Sequence, residues 1–325
     1  MSKVIVTGAN GFLGLTIVRR LLEMNENVLA FLKRGEDAAS LSSLGVPFVF
    51  GDVTEKGCIE YFINEGDEII HAAAIVSITK RDRELVWKVN CEGTKNVLDS
   101  ALSKKARALI YVSSVHTIPL RDGPIEEADF YEPGGSSLGP YEESKREATK
   151  LVLAANGHGI STTVIFPSGI MGPGDEKMGE ITTLVTMILR KRLPFYVSGG
   201  YAFCDVRDVA EAVCRSLSLG GDSYIVSSGY LSIRQIVDFV QEKAGIRAIS
   251  LQVPRFLAWL ALPIASFFQL FSRSKPLYTS YSLRVTKGHP GFKSGKAEDK
   301  LGVKLRAPRE SLGDEVAYLL AKRIK

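Results

Sequence analysis

Cysteine is scarce in this chain. Its 325 residues hold four, Cys58, Cys91, Cys204 and Cys214, with no Cys-x-x-Cys pair, and there are only four histidines. Cysteines so scattered make neither a disulfide framework nor a zinc ligand set, so no metal site is expected and the thiols read as reduced and mostly buried. Charge of one sign is also lacking. The net charge is +5 with the signs interspersed, which asks for no nucleic acid and no anionic membrane. A signal peptide is not visible, because Val4-Ile5-Val6 is too short for its apolar core. These features lead us to expect a cytoplasmic location. Nor is there an apolar run of the ~20 residues that a membrane-spanning helix needs. The nearest is Phe256–Phe271, interrupted by Pro263 and flanked by Arg255 and Arg273. Core or lid of a second lobe is one reading of it. A helix resting on a membrane surface or against an apolar substrate is the other.

What is present is concentrated at the start. Val4-Ile5-Val6 reads as a buried strand, Gly8, Gly11 and Gly14 follow, and Ile17, Val18, Leu21 and Leu22 give a helical apolar stripe. Strand, glycine turn and helix open a dinucleotide-binding βαβ unit. Gly8 permits the turn, Gly11 lets backbone approach a pyrophosphate, and Gly14 lets the helix lie close on the strand. The free N–H groups of the helix start then face the phosphates.

Strands are expected at Val28–Leu32, Phe48–Phe50, Glu68–Ala73, Ala108–Val112, Thr162–Phe166 and Tyr224–Val226. Helices are expected at Leu85–Leu102, Tyr141–Ala155, Ile181–Arg190, Val206–Leu219 and Arg309–Ala321. This alternation predicts an α/β fold, a Rossmann-type doubly wound parallel sheet with ligands at the carboxyl ends of its strands. After Pro167 the pattern loosens. We expect a nucleotide domain over residues 1–167 with 204–227 returning to it, a smaller, mostly helical substrate lobe from 168–203 and 228–305, and a C-terminal helix within 306–325.

Tyr141-Glu-Glu-Ser-Lys145 carries the chemistry. Four residues apart on a helix, the phenol and the ammonium share one face. A phenol of pKa near 10 is a poor acid–base catalyst at neutral pH, and a neighbouring ammonium should pull it toward the working range. Tyr111-Val-Ser-Ser114 ends the fifth strand at the ligand edge. A hydroxyl there can hydrogen-bond a substrate oxygen beside Tyr141.

Taken together, Thr7-Gly-Ala-Asn-Gly-Phe-Leu-Gly14, Asp52-Val53, His71-Ala-Ala-Ala74, Val89-Asn-Cys-Glu-Gly-Thr94, Ser113-Ser114 and the Tyr141/Lys145 pair resemble the extended short-chain dehydrogenase/reductases, the NAD-dependent epimerase/dehydratase family. Pro167-Ser-Gly-Ile-Met-Gly-Pro173 and Asp205-Val-Arg-Asp-Val-Ala210 extend the likeness over essentially the whole chain. The chain is most similar to the dihydroflavonol 4-reductase-like and 3β-hydroxysteroid dehydrogenase-like branch. The resemblance implies a catalytic group of Ser114, Tyr141 and Lys145, with Ser113 as the fallback if the register differs by one. It implies a cofactor site of Gly8, Asn10, Gly11, Phe12, Leu13 and Gly14 at the phosphates, Asp52 on the adenine with Val53 beside it, Ala72 and Ala73 against the cofactor, and Pro167 and Ser168 along the nicotinamide. His71 is expected to be structural and Asn90 to tie backbone elements together. A homodimer is possible, as is common in that family.

The expected reaction is hydride transfer between NADP(H) and an apolar carbonyl or alcohol, with NAD possible. NAD-selecting enzymes carry an acidic residue at the end of strand two, whereas this chain has Lys33-Arg34-Gly35, and either cation suits a 2′-phosphate. The alternative is a sugar-nucleotide epimerase or dehydratase that retains NAD. Members of that kind typically place an arginine seven residues before the aspartate of Asp208-Val209-Ala210, and here the position is Tyr201. Lys191, Arg192 or Arg284 could hold a diphosphate from elsewhere. Phe256, Trp259, Leu260, Phe267 and Phe268 offer apolar surface for a pocket wall.

Overall fold

The computed structural model describes residues 2–77, 80–132, 139–247, 251–254 and 291–322. The run Phe256–Phe271 and Arg284 lie outside the described residues, so the readings attached to them stay with the sequence.

The chain begins β1 (Val4–Thr7), α1 (Phe12–Glu23), β2 (Val28–Lys33), α2 (Ala39–Ser43), β3 (Phe48–Gly51) and β4 (Glu68–His71). It continues α3 (Arg83–Trp87), α4 (Gly93–Ser103), β5 (Ala108–Val112), α5 (Pro140–Ala155), β6 (Ser161–Pro167), β7 (Gly169–Met171), α6 (Glu180–Leu189), β8 (Phe195–Val197) and β9 (Gly200–Asp205). Last come α7 (Val206–Ser216), β10 (Ser223–Val226), β11 (Gly229–Ser232), α8 (Ile233–Lys243), β12 (Leu251–Val253), α9 (Gly295–Leu301) and α10 (Pro308–Ala321).

Seven strands form one sheet in the order β10-β6-β5-β4-β1-β2-β3, every pair parallel. The order reverses between β1 and β4, the place where such sheets bind ligands beyond their carboxyl ends. Alternation along each strand feeds two cores. Val4, Val6, Ala30, Leu32, Ile70, Ile110 and Val112 face α1, α7 and α9. Ile5, Phe31, Ile69, Leu109 and Tyr111 face α4 and α5.

The helix expected over Leu85–Leu102 is interrupted. Residues 88–92 form a π-helical turn between α3 and α4, and that wider turn aims buried Asn90 inward. Its amide N–H₂ donates to the Ile75 carbonyl at 2.9 Å and the Ser144 hydroxyl at 3.1 Å, and its Oδ1 accepts from the Ile75 N–H at 2.8 Å. Apolar spacing over so short a span does not resolve a single wider turn, so the segment reads as one helix.

A third core, with Met171, Val185, Ile188, Phe203, Leu231, Ile236, Val240, Leu312 and Val316, joins α6, α8 and α10. It carries two small sheets that the sequence pattern did not announce, β11-β9-β7 and β12-β8. Residues 295–303, read from sequence as part of the second lobe, send Ala297, Leu301 and Val303 into the core of the large sheet instead. The C-terminal helix packs into the third core. Hydrophobic spacing tells a helix which face to bury and not against which neighbour. Among the described residues, no helix is long and apolar enough to cross a membrane.

Candidate active site

The glycine turn between β1 and α1 is shaped by missing side chains. Gly8 has φ +67°, and a Cβ there would lie 2.8 Å from the Ala73 N and Cα. A Cβ on Gly14 would lie 2.0 Å from the Gly8 carbonyl oxygen. Both contacts are with backbone, so no rotamer relieves them, and the turn, α1 and the Ala72-Ala73 segment meet with only hydrogens between them. Gly11 caps α1 without a side-chain bond, and the first turn, Phe12 and Leu13 included, has no acidic residue. The helix N-terminus is therefore open to an anion. Asn10, in the turn between Gly8 and Gly11, donates its amide to the Asp37 carbonyl at 2.6 Å.

Just beyond β3, Asp52 accepts the Thr54 N–H at 2.9 Å and its hydroxyl at 2.8 Å. Burial pushes against ionisation there, but those two bonds, with Lys33 and Lys88, hold the carboxyl below its ordinary value. Val53 is buried against Gly93. The two candidate cations differ. Lys33 is exposed, and Arg34 is ion-paired with Glu55.

The carboxyl end of β5 decides between the two serines. Ser113 turns into α5, its hydroxyl 2.6 Å from that of Thr149. Ser114 turns the other way and lies near enough to the Tyr141 phenol to favour its charged form, while its oxygen accepts the His116 N–H at 3.3 Å. Ser114, not its neighbour, thus meets Tyr141. Pro140 at the first position of α5 and Glu142 and Glu143 in its first turn fix where that helix starts, and so where Tyr141 sits.

Lys145 is buried, 3% exposed. Its ammonium donates to the Val112 carbonyl at 2.6 Å and rests 4.5 Å from the centre of the Tyr111 ring. Burial brings its pKa down to about 7. The expected lowering of the phenol by this ammonium is not found. Burial, and after it Glu142, hold Tyr141 above its ordinary value, with Ser114 pulling the other way. The reason is that desolvation disfavours the charged form of both groups and the ammonium points at a carbonyl.

His71 is structural, as the sequence suggested. Fully buried, it spans from the Thr7 hydroxyl (Nδ1, 2.7 Å) to the Thr94 hydroxyl (Nε2, 3.0 Å). Thr94 donates its own hydrogen to the Asn90 carbonyl at 2.6 Å, so it accepts from His71 Nε2–H, and Nδ1 accepts from Thr7. Thr7 in turn accepts the Ala73 N–H at 3.3 Å. Burial, with Lys145, depresses the imidazole to about 3 and keeps it neutral. Sequence reading missed this chain and the Thr149 partner of Ser113. The one signal for Thr149 was its place four residues after Lys145, on the same helix face.

Pro167 ends β6, and the Ser168 N–H donates to the Val226 carbonyl at 3.0 Å. The buried Ser168 hydroxyl has no partner stronger than the Cys204 thiol. Tyr201, in place of an arginine, lies on β9 with its ring 6.1 Å from Phe203. Lys191 holds a positive φ of 56° after α6. A glycine cradle that Cβ atoms would fill, an open helix N-terminus and a buried hydroxyl with a weak neighbour together fit a nicotinamide dinucleotide along the edge from β2 to β6.

A parallel sheet with its switch point at a glycine turn, and a tyrosine–serine pair at the end of β5, define a dinucleotide-dependent oxidoreductase of Rossmann type. Residues 4–226 match the model of the NAD dependent epimerase/dehydratase family. The chain belongs to that family and is an NAD(P)-dependent enzyme acting on hydroxyl and keto groups. It is 28% identical over 324 residues to "Sterol demethylase protein B" of Methylococcus capsulatus, covering 97% of both chains. It is also 28% identical to a "Putative dihydroflavonol 4-reductase" of Synechocystis, covering 96% of this chain and 93% of the relative. Among solved structures, that titled "Crystal structure of gox2253" superposes with TM-score 0.85 at 25% identity over the full length of both chains. A UDP-glucose 4-epimerase from Thermotoga maritima shares the fold at TM-score 0.79 and 19% identity, over 99% of this chain and 100% of that one.

Proposed function

We propose that the protein is an NADP(H)-dependent carbonyl reductase or alcohol dehydrogenase for a fairly apolar substrate. The observation that carries this reading is the convergence of the Tyr141 and Ser114 hydroxyls at the carboxyl end of β5, beside buried Lys145. When bound, the nicotinamide cofactor supplies or accepts the hydride. The phosphates would lie on Gly8–Gly14, the adenosine against Asp52 and Val53, and the nicotinamide near Ala73, Pro167 and Ser168. In reduction, Tyr141 gives its hydroxyl proton to the substrate oxygen while Ser114 donates a hydrogen bond to it. Lys145, one turn along the same helix, would have to leave the Val112 carbonyl to stabilise the resulting phenolate, and the steps reverse in oxidation. Desolvation makes the phenol a weak acid on its own, so the ammonium is needed for turnover.

Support for NADP(H) comes from Lys33 and Arg34 at the end of β2, where no carboxylate replaces them. Support for an apolar substrate comes from the uncharged Tyr201 and from the names of relatives: a sterol demethylase protein and two 3β-hydroxysteroid dehydrogenase/decarboxylases of Arabidopsis thaliana. The test is a panel of aryl and steroidal ketones and sugar nucleotides with each cofactor, followed by NAD(P)H absorbance. Tyr141→Phe is expected to lower turnover by about two to four orders of magnitude. A melting shift with UDP-sugars and none with ketones would replace this reading with a sugar-nucleotide epimerase or dehydratase that retains NAD.

A further inference from the structure

The strands β2 and β3 are parallel neighbours with Lys33 opposite Gly51, so the chain leaving β2 at Arg34 and the chain leaving β3 at Asp52 emerge side by side. Two successive turns follow, the Glu55 N–H bonding to the Asp52 carbonyl at 3.0 Å and the Cys58 N–H to the Glu55 carbonyl at 3.1 Å. They fold Glu55 and Cys58 back toward β2. There Arg34 Nη1 donates to Glu55 Oε1, and Nη2 faces Cys58 Sγ at 4.0 Å.

The other carboxylates beside these two strand ends are engaged elsewhere, Asp37 with the Ala39 N–H at 2.9 Å. Asp52 holds Thr54. Glu36 accepts the Lys33 N–H at 3.3 Å and the Lys177 ammonium at 3.2 Å. Glu55 alone among these is turned onto the guanidinium.

We propose that Glu55 sets the balance between NADP(H) and NAD(H) by occupying Arg34, so that a 2′-phosphate reaches this guanidinium only by displacing a carboxylate. The proposal rests on the reading above, in which the cations at the end of β2 receive that phosphate. A phosphate and a carboxylate sharing one guanidinium also repel each other. A ribose 2′-hydroxyl brings no charge and leaves the ion pair in place, so NAD(H) binding meets no such competition. The two side chains are 58% and 50% exposed, which makes the pair weak enough to exchange. Breaking an exposed pair of this kind corresponds to about two- to five-fold in a binding constant.

The experiment measures Kd for NADP⁺ and NAD⁺ at low salt with the wild-type enzyme, Glu55→Gln, Arg34→Gln and the double variant. Thermal melts confirm that each is folded. Glu55→Gln should tighten NADP⁺ about two- to five-fold and leave NAD⁺ within two-fold. Arg34→Gln should weaken NADP⁺ selectively, and on that background the Glu55 substitution should have no further effect. If Arg34→Gln acts as expected but Glu55→Gln leaves NADP⁺ unchanged or weaker, the competition does not exist, while the assignment of Arg34 to the phosphate stands. Equal tightening by Glu55→Gln with and without Arg34 also overturns the proposal, since the carboxylate then acts through its field alone. No loss of NADP⁺ affinity in Arg34→Gln, with NAD⁺ the tighter ligand, overturns the underlying assignment too.

Discussion

Replacing Lys145 by methionine should stabilise the protein while disabling it. Methionine keeps the aliphatic stem and removes the ammonium from a site that is 3% exposed. Depression of the lysine from 10.5 to about 7 corresponds to about 5 kcal/mol of unfavourable burial at low pH, at about 1.4 kcal/mol per unit. The Val112 carbonyl at 2.6 Å and the Tyr111 ring favour the charged form and return part of this cost. Losing the donor also leaves that carbonyl short of a partner, at about 1 kcal/mol. A net gain of about 1–3 kcal/mol at pH 7 remains. The pH dependence follows from linkage. Between about 7 and 10.5 the unfolded chain binds the proton and the folded one does not, so wild-type stability rises across that window and is lost again as pH falls toward 7. Lys145→Met lacks this rise, and its advantage should shrink between pH 7 and pH 9.5. Urea unfolding at both pH values measures the stability, and NADPH oxidation with a ketone substrate measures turnover, expected to fall by about two to four orders of magnitude. A variant less stable than wild type at pH 7, or an advantage that does not narrow with pH, would refute the reasoning.

The two serines give a paired test. Ser114→Ala should lower kcat by about 10²–10³-fold, whereas Ser113→Ala should leave kcat within a few-fold and cost about 1 kcal/mol in unfolding through the lost Thr149 bond. The opposite ranking would reassign the catalytic hydroxyl. Gly14→Ala places a methyl 2.0 Å from the Gly8 oxygen, so dinucleotide binding measured by fluorescence titration should be lost. Wild-type affinity in that variant would mean the turn is not the phosphate site. Because His71 is neutral and its pKa is depressed to about 3, its contribution is complete above about 6.5 and declines as pH falls below that. His71→Gln should therefore show a shallower loss of stability between pH 7 and 5, and an identical slope would exclude His71 as the titrating group.

Part of this protein follows from local rules alone. A β-branched run followed by glycines at 8, 11 and 14 permits little besides strand, tight turn and closely docked helix. Alternating strand and helix signals through Phe166 then impose a parallel sheet, because a parallel pair needs a crossover. Helical periodicity likewise put Tyr141 and Lys145 on one face. Tertiary structure decided what depends on partners far apart in sequence. Strand twist and the α5 contact chose which of Ser113 and Ser114 faces Tyr141, a question of register that a repeated serine cannot answer. The pKa balance was also set there, because desolvation depends on what surrounds a group, and it reversed the direction expected for the Tyr141 phenol. The pairing of β2 with β3 brought Glu55 onto Arg34, twenty-one residues away. The packing of 295–303 on the large sheet, and of the last helix on the small lobe, depends on which apolar faces meet, which a hydrophobic pattern does not encode.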